Sequence, residues 1–189
     1  MNHQRVLSAI VLTLGFFFSS AVFALEPAAN VESVALAKDL MRANDQMVSV
    51  QWEAQTIAEA TNAMAKQNSK LTRGYSMKVF NREMPKLTET MARLYADNFS
   101  VEEMKSLIDF YTSPKGRLMI DFSRAMSGGT PSKADFNEAD GKAGMQAGVE
   151  FQASALGKLY AERVQKVQAQ AGEIIETVHK KARAAGADR

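Results

Sequence analysis

The residues of this sequence that could do chemistry are few, and most are carboxylates, hydroxyls and thioethers. There is no cysteine and there are two histidines, His3 near the start and His179 beside Lys180 and Lys181 towards the end. A cysteine nucleophile, a zinc site and histidine-based proton transfer all lack their usual side chains, so no catalytic residue, metal ligand or cofactor is expected. Glu102, Glu103 and Asp109 lie close enough in sequence for a carboxylate-only enzyme, but helix capping and solvation account for them better. Eleven methionines invite a Cu(I) reading, because thioethers suit that ion. Met77, Met84 and Met91 are spaced by seven, which puts neighbours about 10 Å apart along a helix. A core stripe with methionine filling irregular gaps is the better account.

The first group to inspect is Phe110, Tyr111, Ser113, Pro114, Lys115 and Gly116. Amides at the start of a helix opening at Pro114, with Lys115 and Arg117 nearby, could hold a phosphate or carboxylate. The same residues also make a tight helix-to-helix corner in which Gly116 permits close approach, and that reading is preferred. Trp52 stands alone on a helical stretch and reads as a core or groove residue.

The ends and the composition set where such a site would operate. Arg5, an apolar run from Val6 to Phe18 and the segment Ser19 to Ala24 have the n-region, h-region and small-residue pattern of a secretory leader. Cleavage after Ala24 and a periplasmic location are expected; the alternative is retention of the segment as an anchor. A lipid anchor at the cleavage site would need a cysteine. With 23 basic and 21 acidic side chains in the whole chain, the charge is nearly balanced, and nucleic acid is not an expected partner. Residues 25–189 suit one helical domain with a core large enough to fold without disulfides. No second run is long and apolar enough to span a membrane.

Helix formers dominate, and only Pro27, Pro85, Pro114 and Pro131 interrupt them. The expected fold is all-α, a helical bundle of about five to seven helices with a long C-terminal helix. The first helix starts near Asn30, buries Val34, Ala37, Leu40, Met41 and Met47 or Val48, and runs on through Trp52, Ile57 and Met64 to about Lys66. After a turn at Gln67-Asn68-Ser69, a second stretch carries Leu71, Tyr75, Val79 and Phe80 to a kink or break at Pro85. Leu87, Met91, Leu94, Tyr95 and Asn98 share the next face. Ser100-Val101-Glu102-Glu103 is a capping box, with Phe99 and Met104 at the staple positions, and Met104, Leu107, Ile108 and Tyr111 follow as one stripe. Ser113-Pro114 opens a new helix that buries Leu118, Met119, Phe122 and Met126 and closes at Gly128-Gly129. From about Lys133 the pattern is helical to the end, with a stripe from Phe136 and Phe151 through Leu156, Leu159, Tyr160, Val164, Val167, Ala171, Ile174 and Ile175 to Val178. A break, or a close helix crossing, is expected near Gly141, Gly144 and Gly148, and fraying beyond Val178.

Leu94-Tyr95-Ala96-Asp97-Asn98-Phe99-Ser100-Val101-Glu102-Glu103, continuing through Phe110-Tyr111-Thr112-Ser113-Pro114-Lys115-Gly116, resembles the bacterial exported family catalogued as domain of unknown function 2059 (DUF2059). The resemblance covers roughly residues 87 to 125 and implies an exported helical protein with a capped acidic helix ending at a phenylalanine-tyrosine. It carries no catalytic residues with it. The expected function is a non-enzymatic protein-interaction module of the bacterial envelope, with another envelope protein or a second copy as partner. The alternative is a carrier of a small apolar ligand or lipid, and a carboxylate-dependent enzyme is third. An exposed apolar stripe along 151–178 would favour the first, an apolar cavity the second.

Overall fold

The structure, a computed structural model, describes residues 31–67 and 74–186. The leader, the Asn30 cap, Asn68, Ser69 and Leu71 lie outside the described residues. Among those residues the chain is all-α: α1 Val31–Ala43, α2 Gln46–Gln67, α3 Met77–Asn98, α4 Val101–Thr112, α5 Pro114–Met126, α6 Glu138–Ala153 and the long α7 Ala155–Gly186.

The central element is α3, whose buried residues Phe80, Leu87, Met91, Ala92 and Tyr95 make one broad apolar face. Burying each large side chain of this kind contributes roughly 1.5–3 kcal/mol, and three helices share the task. Two of them run antiparallel to α3. In α7, Tyr160 meets Phe99 just past the end of α3, while His179 stacks on Phe80 near its start. In α2, Gln46 accepts from the Tyr95 hydroxyl at one end and Asn62 binds the Tyr75 backbone at the other. The third, α1, buries Val34, Ala37, Leu40 and Met41 and pairs Lys38 with Glu89 of α3.

Two caps appear as the sequence specifies. Ser100 N–H donates to Glu103 Oε2 at 2.7 Å and Glu103 N–H to Ser100 Oγ at 3.2 Å, with Phe99 and Met104 both buried. At the end of α5, Gly128 takes a φ of 78° and Gly129 N–H returns to the Arg124 carbonyl, the left-handed closure expected of that glycine pair.

Several expectations are corrected. The first long helix is two helices, because Asp45 adopts a φ of 59° and Arg124 Nε donates to its carboxylate at 2.5 Å. On α2 the inward residues are Val50, Ala54 and Ala58, while Val48, Trp52 and Met64 are exposed; the turn resets the helical phase, so the tryptophan faces solvent instead of the core. Pro85 does not break α3. It and Asn81, whose carbonyl loses its partner to the proline, lie on the exposed side, where water replaces the missing bond. Met126 is exposed, and Leu118, Met119 and Phe122 are only half-buried.

Beyond α5, the buried Asp121 carboxylate accepts from Ser132 N–H, Ser132 Oγ–H and Lys133 N–H. That holds the segment before α6 out of helical geometry until the Asn137 cap. The three glycines of α6 do not break it. Gly144 instead lets α5 approach so closely that a Cβ there would overlap the Leu118 carbonyl and Phe122. The break comes at Ser154. Nor does the chain fray after Val178: α7 continues to Gly186 with His179 and Ala182 buried, and Ser76 N–H donates to the Ala182 carbonyl.

Candidate functional site

Ser113 ends α4 and caps α5 in one residue, with φ −66° and ψ 158°. Its hydroxyl donates to the Phe110 carbonyl at 2.6 Å and accepts from Gly116 N–H at 3.1 Å. Gly116 is required because a Cβ would collide with the Phe110 carbonyl oxygen and the Tyr111 backbone. Pro114 fills the first helical position, where it has no amide to lose. Phe110 and Tyr111 stand edge to face at 5.4 Å.

All six predicted residues therefore meet in one corner, but several of the groups an anion would use are engaged. Pro114 has no N–H, the Gly116 amide serves Ser113 Oγ, and the Arg117 amide serves the Ser113 carbonyl. The Lys115 ammonium pairs with Glu150 of α6, and that hydrogen bond holds the Glu150 carboxyl below its ordinary value. Arg117 is exposed and lines two open clefts. One, of about 410 Å³, lies between α1 and α4 and includes Asp39, Arg42, Lys105 and Asp109; the other, of about 420 Å³, includes Asp121, Lys133 and Asp140. These volumes suit a small ligand, and the linings mix those charged groups with apolar ones, Leu36, Ala43 and Ile108 in the first and Pro114 and Leu118 in the second. Both clefts, however, are open to solvent and not enclosed as a carrier site would be.

A second corner repeats the first. Ser154 ends α6 and begins α7 with φ −71° and ψ 160°, its hydroxyl donates to the Phe151 carbonyl at 2.6 Å, and it accepts from Gly157 N–H at 3.0 Å. A Cβ on Gly157 would overlap the Phe151 carbonyl. The two corners touch: the Phe110 and Phe151 rings are stacked at 4.3 Å with 15° between planes. The signal lies in the sequence at an offset of 41 residues, where Met104, Asp109, Phe110, Ser113, Gly116, Arg117 and Leu118 face Met145, Glu150, Phe151, Ser154, Gly157, Lys158 and Leu159. Only comparison of the chain with itself exposes it.

The remaining polar clusters are structural in their geometry. Burial, and next to it the Tyr160 hydroxyl, pushes the Tyr95 and Tyr111 hydroxyls well above the ordinary phenol value, so neither is an acid near neutrality. Burial also pushes Tyr75 up to about 12, and its hydroxyl shares a hydrogen bond of 2.8 Å with His179 Nδ1. Burial raises the Asp121 carboxyl, but the bonds from Ser132 and Lys133 outweigh it and leave a net lowering. Glu103 is committed to its cap and to Arg163, while Glu102 and Asp109 are exposed. Among the described residues no group of three acidic, histidine or cysteine side chains converges on a metal-sized space.

An all-α chain with paired serine-glycine corners is thus the class defined by the geometry. Residues 85–127, which span α4, α5 and the first corner, match the family described as an uncharacterized protein conserved in bacteria, domain of unknown function 2059 (DUF2059). No curated protein and no solved structure matches the chain.

Proposed function

We propose that this chain is a non-enzymatic protein-interaction module of a bacterial envelope, exported by the leader at residues 1–24. The observation that carries the reading is Trp52, 45% exposed on the outer face of α2, with Val48 one turn earlier at 54%. An exposed tryptophan is a costly surface residue and a common anchor in protein interfaces. The Gly128 turn lies beside its ring. The apolar stripe from Phe151 of α6 through Val178 of α7 is buried or half-buried, so the surface offered to a partner is α2 and not the C-terminal helix. Of the carboxylates that could have argued for an enzyme, Glu103 serves a cap and an ion pair, while Glu102 and Asp109 stand exposed at the surface. No helix among the described residues is long and apolar enough to cross a membrane.

Native mass spectrometry of the full chain purified from its own envelope tests this. A protein complex that Trp52→Ala dissociates supports the reading. A bare monomer overturns it, and a retained lipid in place of a protein would favour the carrier.

A further inference from the structure

Between Val31 and Gln67 there is neither glycine nor proline, and apolar residues recur at helical spacing through both α1 and α2. Locally the interruption at Asn44 and Asp45 is supported by one short-range side-chain bond, from Gln46 N–H to Asn44 Oδ1 at 3.1 Å. Asp45 is held in the left-handed region, at a φ of 59°, which an L side chain adopts at a cost. Contacts with the rest of the molecule keep it there. Arg124 Nε donates to Asp45 Oδ2 at 2.5 Å, Asn44 Nδ2 donates to the Tyr160 hydroxyl at 3.3 Å, and the Tyr95 hydroxyl donates to Gln46 Oε1 at 3.3 Å. When these release, α1 and α2 join into one helix about 55 Å long. The segment that leaves the body is α1, because α2 stays tied through Asn62 to both the N–H and the carbonyl of Tyr75.

The groove left on α3 and α4 has one occupant that fits by construction, another α1. It admits Val34, Ala37, Leu40 and Met41 and places Lys38 Nζ 2.5 Å from Glu89 Oε2. We infer that two copies of this chain exchange α1 about Asn44 and Asp45, each α1 filling the groove on α3 and α4 of the other. Every contact of α1 is regained in the exchanged pair. What changes is the relief of the hinge, the loss of its three contacts and the entropy of association, which is the balance under which short strained hinges give exchanged dimers. The inference rests on the proposed function only in naming a second copy as partner.

The chain has no cysteine, so single thiols can be placed at will. Lys38→Cys and Glu89→Cys are made in separate chains, mixed at rising concentration, and treated with a short bismaleimide. Exchange gives a covalent heterodimer whose yield rises with concentration and exceeds that of an unrelated exposed pair, Lys158→Cys with Glu89→Cys. Asp45→Ala removes the carboxylate and the tolerance for the left-handed turn. Arg124→Gln removes only the contact and covers the case in which the first variant fails to fold. Each should lower the dimer dissociation constant about tenfold, equivalent to roughly 1.4 kcal/mol. Monomer mass at all concentrations for the native chain and Arg124→Gln, with linkage confined to single chains carrying both thiols, overturns the exchange. A monomer that still binds another envelope protein through Trp52 does the same and leaves the interaction reading standing.

Discussion

Phe110 and Phe151 stack at 4.3 Å, 41 residues apart in the chain, and join two corners of the same construction. Each ring precedes by three residues a serine that turns one helix into the next. Lys115 and Glu150 add an ion pair beside the rings, although at the surface such a pair contributes little. The corners are therefore held together by the rings and by the close approach of α5 to α6 at Gly144.

Truncating either ring should be expensive. Phe151→Ala is expected to cost about 3–5 kcal/mol by loss of burial and the cavity left behind. The double variant with Phe110→Ala should cost less than the sum of the singles by about 0.5–1.5 kcal/mol, the coupling typical of aromatic pairs. Urea denaturation of the four proteins measures it, and strict additivity would refute a direct stack.

Glycine positions should behave oppositely according to their surroundings. Gly116→Ala and Gly157→Ala each drive a Cβ into backbone, which cannot move as a side chain can, and about 2–4 kcal/mol of destabilisation is expected. Gly172 lies inside α7 with nothing near its would-be Cβ. Gly172→Ala should stabilise by about 0.5–1 kcal/mol. Thermal melts of the three variants separate these outcomes.

Pro85 sits inside α3 on its exposed side. Pro85→Ala restores one backbone hydrogen bond without disturbing the core, and a gain of about 1–3 kcal/mol is expected. A loss of stability would mean that the proline has a packing role.

His179 makes folding depend on pH. Burial lowers its pKa from 6.5, with Glu53 opposing and Arg183 reinforcing the shift. The folded state thus binds a proton less readily than the unfolded chain. Stability from the neutral imidazole is complete above pH 6.5 and is lost as pH falls from there through the lower folded pKa. The melting temperature of the native chain, measured from pH 8 to 5, should fall relative to that of His179→Phe. Parallel curves for the two proteins would contradict the burial of a neutral ring.

Much of this architecture could be read from local patterns. The Ser100–Glu103 box, the Ser113-Pro114 junction and the Gly128-Gly129 stop each act within a few residues, and each appears where the sequence places it. The candidate corner was legible for the same reason: serine, proline and glycine at those offsets have few other uses. The second corner was less legible because Ala155 replaces proline, leaving Ser154 and Gly157 without their strongest punctuation. The glycines of α6 left two outcomes open, a break or a close helix crossing, and the crossing is found at Gly144. Their propensity argues for a break, but contact between α5 and Gly144 outweighs a penalty of about 1 kcal/mol per residue.

By itself the sequence determined helix content, the caps and the stripes, since backbone hydrogen bonding and the 3.6-residue period are local properties. Tertiary structure decided that α1 and α2 part at Asp45, where the local bond from Gln46 N–H to Asn44 Oδ1 only assists, that Trp52 faces solvent, and that His179 is enclosed by Tyr75 and Phe80. The first and last of these depend on partners far away in the chain: Arg124 for the turn and Tyr75 for the histidine. Contacts of that kind are formed only when the helices pack, and no window of sequence contains both members.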